Sequence, residues 1–497
     1  MKSARQIIRL TALTLAIMVS TGVQSQTILS LQECRDMALK NNRESAIAQE
    51  KVTAAGYDRK AARSNYFPKV SITGGYLHNG DNISLLSPDL QNGISNIGTA
   101  VGNIVSGIQT DPQFMALLYN SPTLQYLASK LMTSDLSGKL NNLGTSIADR
   151  FTFDISNLYV GAISVEEPIY VGGKIRAYNK VTAYAEELAA TQLEGEDRKI
   201  MVATDEAYWQ VVSVADKLKL ADQYVDLLKK LDSDVEKMKN EGVATESDLL
   251  SVKVKLNEAE MTQLKAQNGL VLAKMLLCQL CGLDLHSDIQ LADERNTSID
   301  VPKERLEFTQ EDIEENRPEL KSLRLATQMY GQKVNIVRSD YLPSIALMGN
   351  YILTNPNIKH GFEKEFAGTW NVGVIARIPV FHFGEGVNKI RKAKSEALIS
   401  QYQLEDIRQK IMLQATQYEQ KLAEADSRLQ MARKNLDNAE ENLRMANIGF
   451  QEGMLESSVV MQAQTAWLKA HSEETDARID RIMADVYLRQ ATGLWNK

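Results

Sequence analysis

Asn65-Tyr66-Phe67-Pro68-Lys69-Val70-Ser71-Ile72-Thr73-Gly74-Gly75-Tyr76 has a counterpart 275 residues further on, Asp340-Tyr341-Leu342-Pro343-Ser344-Ile345-Ala346-Leu347-Met348-Gly349-Asn350-Tyr351. The same spacing relates Glu44 to Glu319, Gly56 to Gly331 and Arg63-Ser64 to Arg338-Ser339. A second spacing, of 211 residues, relates Pro168 to Pro379, Gly173 to Gly384 and Gln192-Leu193-Glu194 to Gln403-Leu404-Glu405. It holds through Glu241-Gly242 and Glu452-Gly453 to Gly282-Leu283 and Gly493-Leu494. Chance matches do not keep one register so long, so the chain is an internal duplication. The two spacings differ by 64 residues, an insertion in the first half between Tyr76 and Pro168.

Within the opening stretch apolar residues alternate with polar or small ones: Val70, Ile72, Gly74 and Tyr76 against Lys69, Ser71, Thr73 and Gly75. Ile345, Leu347, Gly349 and Tyr351 repeat the phase. Each half alternates again later, through Tyr159, Gly161, Ile163, Val165 and through Trp370, Val372, Val374, Ala376. The pattern predicts strands over about 68–78, 154–168, 343–354 and 369–381. About ten residues is what a tilted strand needs to cross a hydrocarbon layer.

Elsewhere the period is helical. Leu404, Ile407, Ile411, Tyr418, Leu422, Ala425 and Leu429 advance in steps of three, four or seven, as do Leu228, Leu231, Val235 and Met238. None of the ten prolines falls between Ala177 and Val301 or from Val380 to Lys497. The spacing predicts coiled-coil-like helices over 174–240 and 387–451, each about 100 Å long at 1.5 Å per residue. Each ends in a glycine turn, at Gly242 or Gly453, and returns in a shorter helix ending near Gly282 or Gly493. A further helix precedes the first strand of each half, over about 30–65 and 311–340.

The 497 residues are 44% hydrophobic, 24% charged and 6% aromatic, which fits neither a low-complexity chain nor a bundle of apolar membrane helices. Lys2, Arg5 and Arg9 precede the apolar stretch Leu10 to Val19 and Val23-Gln24-Ser25, the pattern of a signal peptide over 1–25. Gln26 then begins the mature chain, and with Glu33 preceding the first cysteine, Cys34, a lipid anchor is not expected. Loss of three basic residues takes the formal charge from −7 to −10, which argues against nucleic acid as a partner. The mature chain holds no run of about 20 uncharged apolar residues, so any membrane crossing must be made by β-structure.

Four strands cannot close a transmembrane barrel, and an open edge in lipid leaves backbone groups unpaired at several kcal/mol each. Several chains must then share one barrel. Two give eight strands and a side-chain-filled interior, three give twelve and a lumen, so a homotrimer is the expected assembly. The fold class is mainly α with a small β part: a long coiled-coil-like α-helical barrel plus a twelve-stranded transmembrane β-barrel, four strands per chain.

This plan, with its opening Leu29-Ser30-Leu31-Gln32-Glu33-Cys34-Arg35-Asp36-Met37-Ala38-Leu39-Lys40-Asn41-Asn42, Arg317-Pro318-Glu319-Leu320 and Pro168-Ile169-Tyr170-Val171-Gly172-Gly173-Lys174, resembles the TolC-type outer-membrane efflux and secretion channels. The resemblance covers essentially the whole mature chain. It implies a first repeat over 26–283 with a long extracellular loop at 80–152, a mid-tunnel linker at 284–310 and a second repeat over 311–497. It also implies an outer-membrane location with the helical tunnel in the periplasm. The partners would be outer-membrane lipid, a periplasmic adaptor (membrane fusion) protein and an inner-membrane pump of the resistance-nodulation-division or ABC type.

The resemblance places adaptor contacts on the hairpin tips, here Gly242, Val243 and Thr245 with Gly453, Met454 and Leu455. The same resemblance makes Asp232, Asp234 and Glu236 candidate pore-constricting acids, although as residues they read rather as a solvated helix face; their second-half counterparts are Leu443, Met445 and Asn447. Pro68, Pro168, Gly173, Pro343, Pro379 and Gly384 mark strand–helix junctions. The function expected is a passive exit duct for drugs or toxic compounds. The alternatives are a type I protein-secretion duct and, in another class, a secreted coiled-coil structural or adhesive protein.

The remaining candidates carry less. Cys278 and Cys281 form a lone C-x-x-C that reads as packing rather than as a metal or redox pair, and the fold implied by the resemblance brings Cys34 to the same level, which leaves one disulfide open. The five histidines, His78, His286, His360, His382 and His471, show no metal-ligand spacing, and Asp284-x-His286-x-Asp288 reads as a polar turn. With no phosphate loop or nucleophile elbow, neither an enzyme nor a cofactor is expected.

Overall fold

The computed structural model describes residues 27–109, 135–295, 306–357 and 363–495, together with scattered positions in 110–134 and residue 359. The signal segment, most of 110–134, the linker stretch 296–305 and His360 lie outside the described residues. In chain order the elements are β1 (Thr27–Leu29), α1 (Leu31–Asn41), α2 (Arg43–Ser64), β2 (Lys69–His78), β3 (Ile83–Ser84), α3 (Pro88–Ser95), α4 (Ile97–Gln109), α5 (Leu136–Arg150), β4 (Thr152–Phe153) and β5 (Asn157–Val171). There follow α6 (Lys174–Asn240), α7 (Glu246–Cys281), β6 (Ile289–Leu291), α8 (Gln310–Asn316), α9 (Pro318–Ser339), β7 (Ser344–Asn355), β8 (Ala367–Arg377), α10 (Glu385–Gln451) and α11 (Ser457–Thr492). They fall into a helical unit (up to Arg63, Arg176–Val337 and Gly384 onward) and a sheet unit (Ser64–Ile175 and Arg338–Phe383).

The helical unit is built on alanine seams. On α10, Leu422, Leu429, Leu436, Leu443 and Phe450 repeat every seven residues, and so do Ala425, Ala432, Ala439 and Ala446. The antiparallel α11 answers with Ala463, Ala470, Ala477, Ala484 and Ala491, all buried. Small side chains let the two helices approach closely, and a strict period of seven imposes a left-handed supercoil. The first half keeps the same positions 211 residues earlier: Val211, Leu218 and Val225 on α6, and Val252, Ala259, Ala266 and Ala273 on α7. Both long helices have 67 residues and both return helices 36.

Two expectations are corrected here. The helices anticipated over 30–65 and 311–340 are each broken, at Asn42 (ψ 133) and at Arg317 (ψ 116), 275 residues apart. Pro318 bars its predecessor from the helical region. In the first half the Asn42 side chain instead accepts the Glu44 amide at 2.8 Å, starting a new helix. The sequence also gave no sign of the parallel pair β1–β6, in which Ile28 lies opposite Gln290. Three residues are too few to show a period.

The sheet unit has strand order β2-β5-β7-β8, all antiparallel, so the central β5–β7 pair joins the two halves. Pro168 lies inside β5 rather than at its end. The ladder shifts register between Pro168 and Tyr170, and the strand continues to Val171. A bulge absorbs the hydrogen bond that proline cannot donate. The insertion forms α3, α4, α5 and the short pair β3–β4. Helix α4 carries no charged residue and sets Gly98 and Gly102 against Ser137 and Asn141 of α5.

Candidate functional site

Registers decide which face each strand side chain occupies. Val70 lies opposite Val165, Ile72 opposite Ile163, Gly74 opposite Gly161 and Tyr76 opposite Tyr159. Val165, Ile163 and Gly161 face Gly349, Tyr351 and Leu353, which in turn face Val372, Trp370 and Gly368. One face of all four strands is therefore apolar in continuous rows, and it is bare: Ile72 is 80% exposed and Trp370 74%. On the other face Lys69 lies opposite Glu166, Ser71 opposite Ser164 and Asn350 opposite Asn371, with a 2.9 Å hydrogen bond from Asn350 to Asn371. Strands β2 and β8 are the sheet's edges, each paired on one side only. A two-faced sheet with its apolar side outward and both edges open suits a closed barrel in lipid.

The hairpin tips close alike. Gly242 (φ +78) donates to the Lys239 carbonyl and Val243 to that of Met238, both at 2.9 Å. Gly453 (φ +71) donates to Phe450 at 3.0 Å and Met454 to Gly449 at 2.7 Å. Both are left-handed helix stops that glycine adopts without strain. Thr245 then caps α7, accepting from the Asp248 amide while its own amide donates to the Asp248 carboxylate. The Thr245 hydroxyl donates to the same carboxylate at 2.7 Å, and this bond, with that of the amide, holds the Asp248 carboxyl below its ordinary range. Leu455 folds over Gly449, whereas Val243 (68% exposed) and Met454 (73%) stand out in solvent.

The three candidate acids do not share a face. Asp232 and Glu236 lie one turn apart, while Asp234 points to the other side and pairs with Lys237 at 3.4 Å. Asp232 occupies the heptad position after Val225, where the second half has the buried Leu443, and its Oδ1 is buried with no hydrogen-bond partner. The next such position is Lys239 in place of Phe450, and it pairs with Glu246 across the tip. The first hairpin thus ends on charge in its seam, the second on apolar packing.

Of the junction residues, Pro68 and Pro343 directly precede β2 and β7, and Pro379 lies beyond β8. Gly172 and Gly173 (φ +62 and +82) make a left-handed turn into α6; Phe383 and Gly384 (φ +46 and +86) make the same turn into α10. Among the described residues, no three His, Cys, Asp or Glu side chains gather as metal ligands. Asp284 accepts the His286 amide in a turn at 2.9 Å. No helix among the described residues is long and apolar enough to cross a membrane.

Residues 310–494 match the family model of outer membrane efflux proteins. The alkaline protease secretion protein AprF of Pseudomonas aeruginosa is 22% identical over 400 residues, 78% of this chain and 82% of its own. The outer membrane protein TolC of Vibrio cholerae is 19% identical over 308 residues, 61% and 70% of the two chains. The open state of the Neisseria gonorrhoeae MtrE outer membrane channel superposes with a TM-score of 0.68 at 14% identity, covering 93% of this chain and 88% of that one. The chain has the TolC-type channel fold. These relatives are membrane-channel and secretion proteins, not enzymes, and the relatives described by location are outer-membrane proteins.

On this TolC-type fold, two features were missed in the sequence. The alanine seams were legible, because Ala463 through Ala491 keep a period of seven, but alanine carries little hydropathy signal. The Arg35–Asp205 pair, with 2.6 and 2.5 Å hydrogen bonds tying α1 to α6, joins residues 170 apart and left no local pattern. Burial raises the Asp205 carboxyl against the pull of that guanidinium.

Proposed function

We propose that the chain is the outer-membrane exit duct of a tripartite export system, conducting passively while an inner-membrane pump supplies the drive. The reading rests on the bare apolar sheet face between two open edges. In lipid those edges must pair, and the partner at hand is another copy: three chains give twelve strands and a lumen. The tips Gly242-Val243 and Gly453-Met454, with exposed apolar side chains on tight turns, are the proposed adaptor contacts. The insertion at 80–152 would lie at the outer mouth. Drugs and toxic compounds are the proposed cargo.

Similarity to a protease secretion protein favours a second reading, a type I duct for secreted protein. A neighbouring gene for a proton-driven pump supports the first, and one for an ATP-driven pump the second. A secreted structural rod leaves the sheet's apolar face without a purpose. Single-particle imaging of protein extracted from the outer membrane in mild detergent tests the whole. Three-fold particles with a detergent belt are expected; a water-soluble monomer sinks the proposal.

A further inference from the structure

Each half closes where its short helix meets the end of its return helix. Asn41 of α1 donates to the Cys281 carbonyl at 3.1 Å, and Gly282 comes so close that a Cβ would lie 2.5 Å from that of Asn41. In the second half Asn316 and Gly493 meet in the same way. There, two guanidinium groups secure the joint. Arg198 donates to the carbonyls of Asn316 (2.7 Å) and Gly493 (3.3 Å), and Arg317 to that of Gln490 (2.6 Å). The repeat equivalents of these arginines are Gln409, on α10 and bonded to Glu405, and Asn42, which accepts the Glu44 amide. Asn42 takes the position of Arg317, and at the first joint Cys34 and Cys281 stand where the second half has Thr309 and Thr492.

Cys34, Cys278 and Cys281 are all fully buried and unbonded, in the core with Leu29, Tyr208, Leu277 and Leu291. The Cys281 thiol donates to the Cys34 carbonyl at 3.6 Å, which brings the two residues together. Cys278 faces away, toward the Ser287 carbonyl at 4.0 Å. In the closed core, contact between the two side chains raises the Cys34 thiol and lowers that of Cys281.

We infer that Cys34 and Cys281 are joined by a disulfide in the exported protein, a covalent clasp at the first joint where guanidinium hydrogen bonds hold the second. The inference rests on the placement outside the cytosol proposed above, where disulfides persist. The thiolate of one of the two cysteines attacks a disulfide-bearing oxidant, forming a mixed disulfide. The other sulfur displaces the carrier, which leaves as the dithiol with the two electrons and two protons of the pair. Because both sulfurs are inaccessible in the closed core, the exchange occurs before α1 docks, and the finished bond is shielded from reductants.

The test is peptide mapping of the full chain from fractionated cells, quenched with N-ethylmaleimide under denaturing, non-reducing conditions. The expected result, in the outer-membrane fraction, is a Cys34 peptide linked to the Cys281 peptide, with one alkyl group on Cys278. Three alkylated thiols in that fraction, or a link through Cys278, overturn the clasp and leave the export reading standing. Recovery of the chain from the cytosol overturns both. As a second measurement, reductant in denaturant followed by refolding should lower the wild-type melting midpoint by several degrees and leave Cys34→Ala/Cys281→Ala unmoved. An equal response in both also overturns the clasp.

Discussion

Two residues depart from what their repeat equivalents establish, and both departures can be measured. Phe383 holds the left-handed position that Gly172 holds in the first half, at φ +46, and it is 90% exposed with Phe381 against its ring. A bulky residue there costs on the order of 1–2 kcal/mol. Phe383→Gly is expected to raise the thermal midpoint of the extracted protein; a lower midpoint would show that the ring packs against something more than Phe381. Asp232 is the opposite case, a carboxylate at a seam position that leucine fills 211 residues later. An unsatisfied buried oxygen costs about 1–3 kcal/mol. Asp232→Leu should therefore stabilise the chain by at least about 1 kcal/mol in denaturant titrations. No gain would mean that the second carboxylate oxygen is engaged strongly enough to offset the first.

At the scale of elements, side-chain period set what could be read. Strands of ten or more residues with a strict apolar alternation, and helices of 67, declare themselves because many residues repeat one message. Strand ends do not: β5 outruns Pro168 by three residues because a bulge accommodates the proline, and bulges have no periodic signature. The same reasoning explains why the tip turns were legible, since a left-handed stop demands glycine, while the separation of Asp232, Asp234 and Glu236 depends on helix phase. The α10–α11 seam offers the sharpest test. Ala477 is fully buried between helices in close approach, whereas Ala466 on the same helix is exposed. Ala477→Leu should destabilise by about 1–3 kcal/mol through overpacking, and Ala466→Leu should change stability by less than about 0.5 kcal/mol. Equal effects in thermal unfolding would refute close packing at the seam.

For the whole molecule, the decisive question is whether the sheet meets lipid and with which side. Ile72 and Thr73 are neighbours on the edge strand β2, and both are exposed, yet the registers put Ile72 in the apolar rows and Thr73 opposite Ala162 on the polar and small-residue face. A soluble protein would tolerate arginine at either site, because both already face water. In a barrel the outcomes separate. Arginine on the lipid side near the bilayer midplane costs about 2–4 kcal/mol, while arginine on the lumen side is solvated. Each chain of a trimer carries the substitution, so the penalty enters the assembled barrel three times. Ile72→Arg is accordingly expected to empty the outer-membrane fraction of assembled protein, and Thr73→Arg to leave its amount near wild type while altering the passage of ions through the pore in planar bilayers. If Thr73→Arg abolishes assembly and Ile72→Arg does not, the sheet faces the other way. If neither matters, the sheet does not meet a membrane at all, and the exit-duct reading falls with it.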